Sequence, residues 1–496
     1  MSLTNLIEER AARRPEAVAV VSERGTLSYG DLNAQANRLA YALIGRGVRP
    51  GSRVGICVDR GPEAIVALLG VLKAGGACVP LDPEYPMERL LFMVRDVAAS
   101  LLVTQPHLDG LLAECPVPRI FVDAPTPSDI GADHPNPRVR VGHGDLAYVM
   151  YTSGSTGLPK GVEIGWTALY DNAVKTARLL ELTEVDALFQ FSSLSFASSI
   201  GQIFAPLVTG ARLVLRSRQY SAAQLVRYVE DTGVSVLWLT PSTIRYLTQR
   251  ADASIGRLRG PLRLLRSGGE SLDRPLVEQW FAQSDVPLLN VYGPTEAVQD
   301  ITACLMTEPP DVVSIGRPLF DAEVFLLDDS GAPVSPGEPG ELLFTTPGMA
   351  LGYVNQPELT HERFVERVLD GRRLRLYRTG DNARQLPDGR LEFVGRHDRQ
   401  IKIRGYRVEP AEVEQRLTAH HAVLGAVVAL HTLAAGAERL VAYYVSDDDK
   451  CTARALRQWC ANALPMHMVP SRYVRVAQIP LTANGKADRR ALEQLG

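Results

Sequence analysis

A loop rich in glycine and hydroxyl groups is the clearest chemical signal in the sequence. It follows the apolar run 146–150 and supplies backbone N–H, hydroxyl and ammonium donors from Thr152, Ser153, Gly154, Ser155, Thr156, Gly157 and Lys160. Because glycines let successive N–H groups surround an anion, the loop predicts a phosphate-binding site. It is not a Walker loop, since Gly161 stands where Ser or Thr would hold Mg²⁺. The alternative is a flexible surface loop.

Three later segments share one design, an apolar strand that stops at small, polar, Gly or Pro residues. The strands are expected at 234–239, 262–265 and 286–291, with their turns at 240–242, 266–270 and 292–296. Ligands collect outside the carboxyl ends of strands in open α/β sheets, so these turns are expected to face one crevice beside the loop. The alternative is that each turn merely connects a strand to a helix.

Helical and strand patterns alternate along most of the chain and predict α/β architecture. Helices are expected at 31–46, 62–74, 409–420 and 454–464, and further strands at 54–58, 323–327 and 440–445. From about residue 318 the pattern changes to short strands and turns, which indicates a small β-rich subdomain. The charged segment 391–409, with Gly395 and Gly405, is a candidate domain boundary with a hinge.

Composition excludes several functional classes. The chain has 496 residues, 46% of them hydrophobic, and a net charge of −3, which is too little basic charge to predict nucleic-acid binding. The most apolar long segment, 64–81, is interrupted by Lys73, Gly75 and Gly76 and therefore predicts no membrane span. The six cysteines show no metal-ligand spacing, and residues 1–17 carry no signal peptide. A cytoplasmic enzyme is expected.

Taken together, the motifs resemble the adenylate-forming superfamily, and most closely the adenylation domains of nonribosomal peptide synthetases. The matching stretches lie in the family's order over almost the whole chain: 27–32, 72–82, 151–162, 290–296, 340–344, 377–381, 395–409, 464–470 and 484–489. The resemblance implies a large N-terminal domain of stacked α/β sheets with a small β-subdomain at 1–397. It implies a smaller, mobile α+β domain at 398–496, with a hinge near Asp398.

The resemblance also implies the chemistry, which is attack of a carboxylate on Mg-ATP to give an acyl-adenylate and pyrophosphate. The loop would hold the β- and γ-phosphates, Thr295 would bond an α-phosphate oxygen, and Glu296 would bind Mg²⁺. The nucleoside would be held by Gly268, Gly269, Asn290, Tyr292, Gly293, Asp381 and Arg396. Lys486 would bridge the substrate carboxylate and the α-phosphate; its alternative is a solvated lysine in a C-terminal tail.

The expected acyl pocket departs from the family pattern. By position it comprises Ala197, Ser198, Gly201, Leu239, Leu265, Ser267, Val291, Gln299 and Asp300. Ala197 replaces the aspartate that pairs with the α-ammonium group in amino-acid-activating relatives, so an ordinary α-amino acid is not the expected substrate. Asp300 could read an amine, guanidinium or hydroxyl group of the acid; alternatively it faces a helix end or an arginine of the protein.

The second half-reaction would pass the acyl group to the phosphopantetheine thiol of a separate carrier protein, along a path lined by Gly405. Because the chain ends soon after Lys486, a stand-alone ligase is expected rather than a piece of a larger synthetase. A small MbtH-like activator is a further candidate partner. The competing interpretations are an acyl-CoA ligase that uses free CoA and a non-catalytic scaffold that kept the fold.

Overall fold

A computed structural model describes most of the chain. The described residues are 2–123, 134–154, 157–215, 220–250, 258, 260, 262–298, 300–398, 400–403, 405–432, 438–480, 487 and 489–493. Their helices are α1 (Leu3–Arg13), α2 (Tyr29–Gly45), α3 (Pro62–Lys73), α4 (Met87–Asp96), α5 (Trp166–Leu179), α6 (Ser198–Thr209), α7 (Ala222–Asp231), α8 (Pro241–Arg250), α9 (Arg274–Phe281), α10 (Pro357–Arg363), α11 (Pro410–Thr418), α12 (Ala453–Ala461) and α13 (Arg489–Glu493).

The strands of the first half are β1 (Val18–Ser22), β2 (Gly25–Ser28), β3 (Arg53–Ile56), β4 (Ala77–Pro80), β5 (Leu101–Thr104), β6 (Arg119–Phe121), β7 (Leu146–Thr152), β8 (Lys160–Gly165), β9 (Ala187–Gln190), β10 (Arg212–Leu215), β11 (Val236–Leu239), β12 (Leu264–Ser267) and β13 (Leu288–Tyr292). Those of the second half are β14 (Thr302–Met306), β15 (Arg317–Pro318), β16 (Glu323–Leu327), β17 (Pro339–Thr345), β18 (Gly352–Tyr353), β19 (Phe364–Leu369), β20 (Arg372–Gln385), β21 (Leu391–Arg396), β22 (Ile401–Ile403), β23 (Tyr406–Val408), β24 (Gly425–Thr432), β25 (Glu438–Val445) and β26 (Arg472–Arg475).

Two mostly parallel sheets form the large N-terminal part. The first has the order β15-β14-β13-β12-β11-β9-β10-β1-β2, and its five central pairings, from β13 to β1, are all parallel. The second has the order β18-β8-β7-β4-β3-β5-β6, with an antiparallel edge at β7, β8 and β18. One hydrophobic core, which includes buried residues of α2, α3, α5 and α6, joins the two sheets.

Smaller sheets follow in the chain. Strands β16, β17, β20, β19 and β21 form an antiparallel sheet, β22 pairs with β23, and β24, β25 and β26 form the last sheet. This last sheet packs with α11 and α12 around a separate core that includes Val413, Leu440 and Leu456.

The helix that leads into the expected acyl pocket shows how sequence sets an element boundary. Ala197 lies just before α6, and the helix ends at Gly210, whose φ of +87° is the left-handed conformation that glycine adopts without strain. Pro206 lies inside the last turns, and the side chains of this apolar helix are buried along most of its length. Such a helix is fixed by packing on both sides, so its first turn is held firmly beside the pocket.

The structure confirms the predicted fold class. Helix 31–46 corresponds to α2, strand 54–58 to β3, and the strand at 323–327 to β16. Each of the three strands expected before the turns starts about two residues later than predicted. In the described part of the chain, no helix is both long and apolar enough to span a membrane.

Candidate functional site

The ends of the central strands of the first sheet open into a cleft of about 1960 Å³. The turns after β11, β12 and β13 all line it, as do Thr152 and Ser153 at the end of β7. The predicted common crevice is therefore confirmed, and the two sheets contribute to it together.

The described part of the phosphate loop presents donors to this cleft. Thr152 Oγ1 is buried and has no hydrogen-bond partner among the described residues, and Ser153 Oγ donates to the carbonyl of Arg407 at 2.7 Å. Gly157 has φ +85°, a conformation that favours glycine. Ser155 and Thr156 lie outside the described residues. An unpaired buried hydroxyl at the cleft wall suits an anionic ligand such as a phosphate chain.

Glu296 is a buried carboxylate that directly follows Thr295, a residue of the cleft wall. It is fully buried, and Tyr353 donates its hydroxyl proton to Oε1 at 2.7 Å. The Arg407 guanidinium contacts both carboxylate oxygens at 2.9 and 3.0 Å, and Lys160 Nζ lies 3.3 Å from Oε1. Burial opposes ionisation, but Arg407 and then Lys160 hold the pKa of Glu296 well below its ordinary value. Glu296 is therefore an ionised carboxylate shared by two cations.

In contrast to Glu296, Lys160 has a destabilised charged form. Burial, followed by the nearby Arg407 guanidinium, lowers the pKa of Lys160 to about 8, although Glu296 partly offsets this effect. Its ammonium group also lies 4.4 Å from the ring centroid of Tyr353. Lys160 is therefore a buried cation that loses its charge not far above neutral pH.

Three of the residues expected around the nucleoside, Tyr292, Asp381 and Arg396, contact one another at the cleft wall. Tyr292 donates its hydroxyl proton to Asp381 Oδ2 at 2.6 Å, and Arg396 bonds the other carboxylate oxygen of Asp381. Asn290 donates to the carbonyl of Ser314 at 2.8 Å. The carboxylate of Asp381 and the Arg396 guanidinium are thus in direct contact, a donor and acceptor set that suits ribose hydroxyls.

Two glycines of the turn after β12 also line the cleft. A Cβ at Gly268 would lie 2.7 Å from Val291 Cγ2, so only glycine fits there. Gly269 has φ +88°, and no atom lies within 4 Å of the place its Cβ would take, which faces the cleft. Gly293 and Thr295 also line this part. The backbone is therefore accessible where a flat ligand such as adenine would be placed.

The donor set is compatible with Mg²⁺ held partly by phosphates. The described residues contain no cluster of three or more His, Cys, Asp or Glu that could hold a metal alone. Mg²⁺ commonly takes one or two carboxylates and fills its other positions with water and phosphate oxygens, so Glu296 fits as a single protein ligand. In the observed arrangement, Arg407 contacts both of its oxygens and would have to move first.

The segment 400–412 reaches over the cleft from the C-terminal part. Gly405 donates its N–H to Glu270 Oε1, and its Cβ position would lie 2.6 Å from Thr240 Cγ2. Arg89 donates to Glu412 Oε1 at 2.6 Å in a buried ion pair. Asp398, the expected hinge, is bound by Arg396 Nε and Nη2 at 2.6 Å each. The sequence motif at 395–409 marked this segment but not its partners, which come from distant parts of the chain.

The structure corrects the wall of the expected acyl pocket by one residue. Trp238 and Arg266 are cross-strand partners and line the cleft, whereas Leu265 and Ser267 do not line it. Leu239, the cross-strand partner of Ser267, lines the cleft where β11 ends. Its side chain nevertheless belongs to the hydrophobic core on one face of the sheet, whereas Trp238 belongs to the core on the other face. Side chains alternate along a strand, so a shift of one residue moves the assignment to the other face.

The remaining pocket residues lie near the corrected wall. Ala197, Ser198, Val291 and Asp300 line the cleft. Gly201 stands behind it, since its Cβ position lies 3.0 Å from Trp238 Cη2. Gln299 and the proposed catalytic Lys486 lie outside the described residues.

Asp300 has a protein partner. Arg266 Nη2 donates to both of its oxygens, at 2.5 and 2.6 Å, so the alternative of an arginine partner is the one found. Trp238 and Arg266 were missed by the sequence reasoning. The sequence placed Arg266 at the start of the turn 266–270, whereas it lies within β12, directly after two leucines.

Comparison with known families decides the identity of the fold and site. The sequence profile of the AMP-binding enzymes matches residues 7–354, and that of the AMP-binding enzyme C-terminal domain matches residues 412–486. The chain belongs to the AMP-binding enzyme family. This family uses ATP and Mg²⁺. The resemblance to peptide-synthetase adenylation domains is confirmed by the relatives.

Among curated proteins of this family, a linear gramicidin synthase of Brevibacillus parabrevis is 40% identical over 493 residues, 98% of this chain but 6% of that protein. Tyrocidine synthase 3 of the same organism is 39% identical over 503 residues, 99% of this chain and 8% of that protein. The chain thus spans only a small part of the length of either relative.

Solved structures of AMP-binding enzymes share the whole fold. The holo form of PA1221, an NRPS protein containing adenylation and PCP domains, has a TM-score of 0.87 at 28% identity and covers 99% of this chain and 84% of its own. The o-succinylbenzoate CoA synthetase of Bacillus subtilis has a TM-score of 0.87 at 25% identity, covering 99% and 98%.

Proposed function

We propose that the protein activates a carboxylic acid with ATP, forming an acyl-adenylate and releasing pyrophosphate, and then transfers the acyl group to a thiol. The observation that carries this proposal is one cleft lined by Thr152 and Ser153 of the phosphate loop, by Thr295, and by the Tyr292–Asp381–Arg396 set. Arg407, which also lines the cleft, pairs with the buried Glu296. The donors and acceptors of these residues suit a triphosphate and a nucleoside bound in one site.

Each group has a definite task in this proposal. The loop N–H groups, Thr152 and Lys160 bind the departing phosphates, and Thr295 donates to the α-phosphate. Asp381 accepts from the ribose hydroxyls while Arg396 fixes its orientation. Mg²⁺, held by Glu296, would neutralise phosphate charge as the nucleophile approaches. The protein acts by positioning the reactants and by stabilising charge on the phosphorus.

The acid is proposed to lack an α-ammonium group. Ala197 lines the cleft at the start of α6 and has no charge to offer, and Asp300 is already engaged by Arg266. An ammonium group placed beside Ala197 would lose its hydration without gaining a counter-ion. Hydroxy, keto, aryl and fatty acids remain, as do acids with a more distant amine.

The acceptor is proposed to be the phosphopantetheine thiol of a carrier protein. The likeness to peptide-synthetase relatives over nearly the whole chain supports it. A second candidate is free CoA, which the likeness to a CoA synthetase favours. Thioester formation measured with CoA and with a panel of carrier proteins, each with and without an MbtH-like activator, distinguishes the two.

Pyrophosphate exchange into ATP tests the first half-reaction. We expect exchange that depends on one class of acid and on Mg²⁺. Absence of exchange with every acid of a broad panel, from a protein that is folded and binds ATP, would overturn the proposed function.

Lys486 is proposed to bridge the acid and the α-phosphate. We expect Lys486→Ala to leave the unfolding midpoint unchanged but to raise the adenylation barrier by about 3 kcal/mol, as for loss of one preorganised charge stabiliser. Lys450→Ala removes another C-terminal lysine and serves as the control. Exchange by Lys486→Ala at the wild-type rate would contradict the assignment.

A further inference from the structure

The acyl pocket contains a buried ion pair stacked on an indole ring. Arg266 is 3% exposed, and its Nη2 atom alone meets both oxygens of Asp300. The centre of its guanidinium lies 3.1 Å from the ring centroid of Trp238. This stacking and the pairing with Asp300 fix the plane and position of the guanidinium.

The protein leaves hydrogen-bonding capacity at this cluster unused. Among the described residues, Arg266 Nε has no hydrogen-bond acceptor and Asn172 Oδ1 has no donor. Asn172 Nδ2 donates to the carbonyl of Val298, and Asn172, Trp238, Arg266 and Asp300 all line the cleft. These two buried polar atoms at the wall of the cleft suit a polar group of the ligand.

The backbone near Asp300 is strained. Val298 has φ +62°, a left-handed conformation that is strongly disfavoured for a β-branched residue. It lies two residues before Asp300, and its carbonyl is the one that Asn172 contacts. Such outliers persist where the surrounding structure imposes them, often at ligand sites.

The ion pair decides which charges the pocket tolerates. A substrate ammonium group that contacts Asp300 would lie next to the Arg266 cation, which already occupies that carboxylate. A substrate carboxylate that contacts Arg266 would likewise lie next to the Asp300 anion. Both arrangements place like charges together in a poorly hydrated space. A neutral hydroxyl group meets neither penalty, because it can accept from Arg266 and donate to Asp300.

We propose that the Arg266–Asp300 pair selects an acid whose acyl chain is uncharged and bears a hydroxyl group that the pair recognises. This inference rests on the proposed adenylation function and narrows its substrate class. It replaces the expectation that Asp300 reads a substrate amine. Trp238 then supplies the apolar wall against which the chain packs.

The first test uses acids that share one carbon skeleton and differ only in one substituent, a methyl, hydroxyl, ammonium or carboxylate group. Aryl and alkyl skeletons of several lengths are compared by kcat/KM in pyrophosphate exchange. We expect the best substrate to be a hydroxy acid, at least tenfold better than its methyl analogue and still further above its two charged analogues. A best substrate bearing an ammonium or a second carboxylate group would overturn the proposal.

The second test removes one partner of the ion pair at a time, so that a single charge of either sign remains in the pocket. Arg266→Met leaves Asp300 without its cation, so preference should shift at least tenfold toward the ammonium analogue. Asp300→Asn leaves Arg266 without its anion, so preference should shift toward the carboxylate analogue. Arg263→Met, which breaks the pair with Asp186 near the same strand, is the control and should leave preference unchanged.

The ratio between analogues is measured within one protein, so partial loss of folded protein in a variant does not affect it. If Arg266→Met does not fold, Asp300→Asn provides the same test with the opposite sign. Unchanged preference in a folded variant would overturn the proposal. Failure of the proposed function differs from this result, because it gives no exchange with any acid in the unmodified protein.

Discussion

At the scale of single residues, the site is governed by cations that share carboxylates. Lys160 and Arg407 both contact Glu296, and Arg396 contacts both Asp381 and Asp398. Such buried pairs are costly to break on one side only, because the remaining charge is left without a partner. The most informative residue is Lys160, since burial and then the Arg407 guanidinium lower its pKa to about 8.

The perturbed pKa of Lys160 predicts a pH dependence. Its charge is present below about pH 8 and lost above it, so kcat/KM for ATP should fall as the pH rises through 8. Arg407→Gln removes a cation that lowers this pKa, and the decline should then move to higher pH. Lys160→Arg keeps a charge at all of these pH values and should remove the decline. A decline at the same pH in Arg407→Gln would contradict this account.

At the scale of elements, local sequence patterns predicted strands and turns, but they did not predict which residues far apart in the chain contact each other. The three strand-end turns were predicted because apolar runs that end in Gly, Pro and polar residues are local signals. The wall of the acyl pocket was misplaced by one residue, because its positions were carried over from the family pattern, and a shift of one residue along β11 or β12 moves an assignment to the other face of the sheet. Partners such as Arg266 and Asp300, 34 residues apart, or Arg407 and Glu296, 111 apart, leave no local trace.

The turn at Gly405 makes an element-scale prediction. Gly405 has φ +80°, and a Cβ there would lie 2.6 Å from Thr240 Cγ2. If this docked turn serves the proposed thiol transfer, Gly405→Ala should slow thioester formation at least tenfold and change pyrophosphate exchange little. Gly371→Ala is the matched control, with φ +73° and open space around its Cβ position. Equal loss in both half-reactions would contradict the role.

At the scale of the whole molecule, the C-terminal part is held over the cleft by polar contacts rather than by a shared core. Arg89 pairs with Glu412, Arg407 with Glu296, and Gly405 with Glu270. The hydrophobic core of the C-terminal sheet is separate from that of the two large sheets. Such a boundary can open without unfolding either side, which supports the proposed hinge at Asp398.

Breaking one of these contacts should let the C-terminal part move away from the cleft without unfolding the molecule. We expect Arg89→Met to speed limited proteolysis within 398–412, because Glu412 can regain water only if the segment moves away. The unfolding midpoint of the large part should stay unchanged. Arg53→Met, which breaks the pair with Glu163 inside that part, should not affect the proteolysis rate. Unchanged proteolysis in Arg89→Met would contradict this picture.

The most direct test of the central claim is one competition experiment. The protein is given ATP, Mg²⁺ and an equimolar mixture of α-amino acids and their α-hydroxy and deaminated analogues, and the activated acids are trapped with hydroxylamine and identified by mass spectrometry. The account predicts hydroxamates of acids that lack the α-ammonium group. Hydroxamates formed mainly from α-amino acids would contradict it.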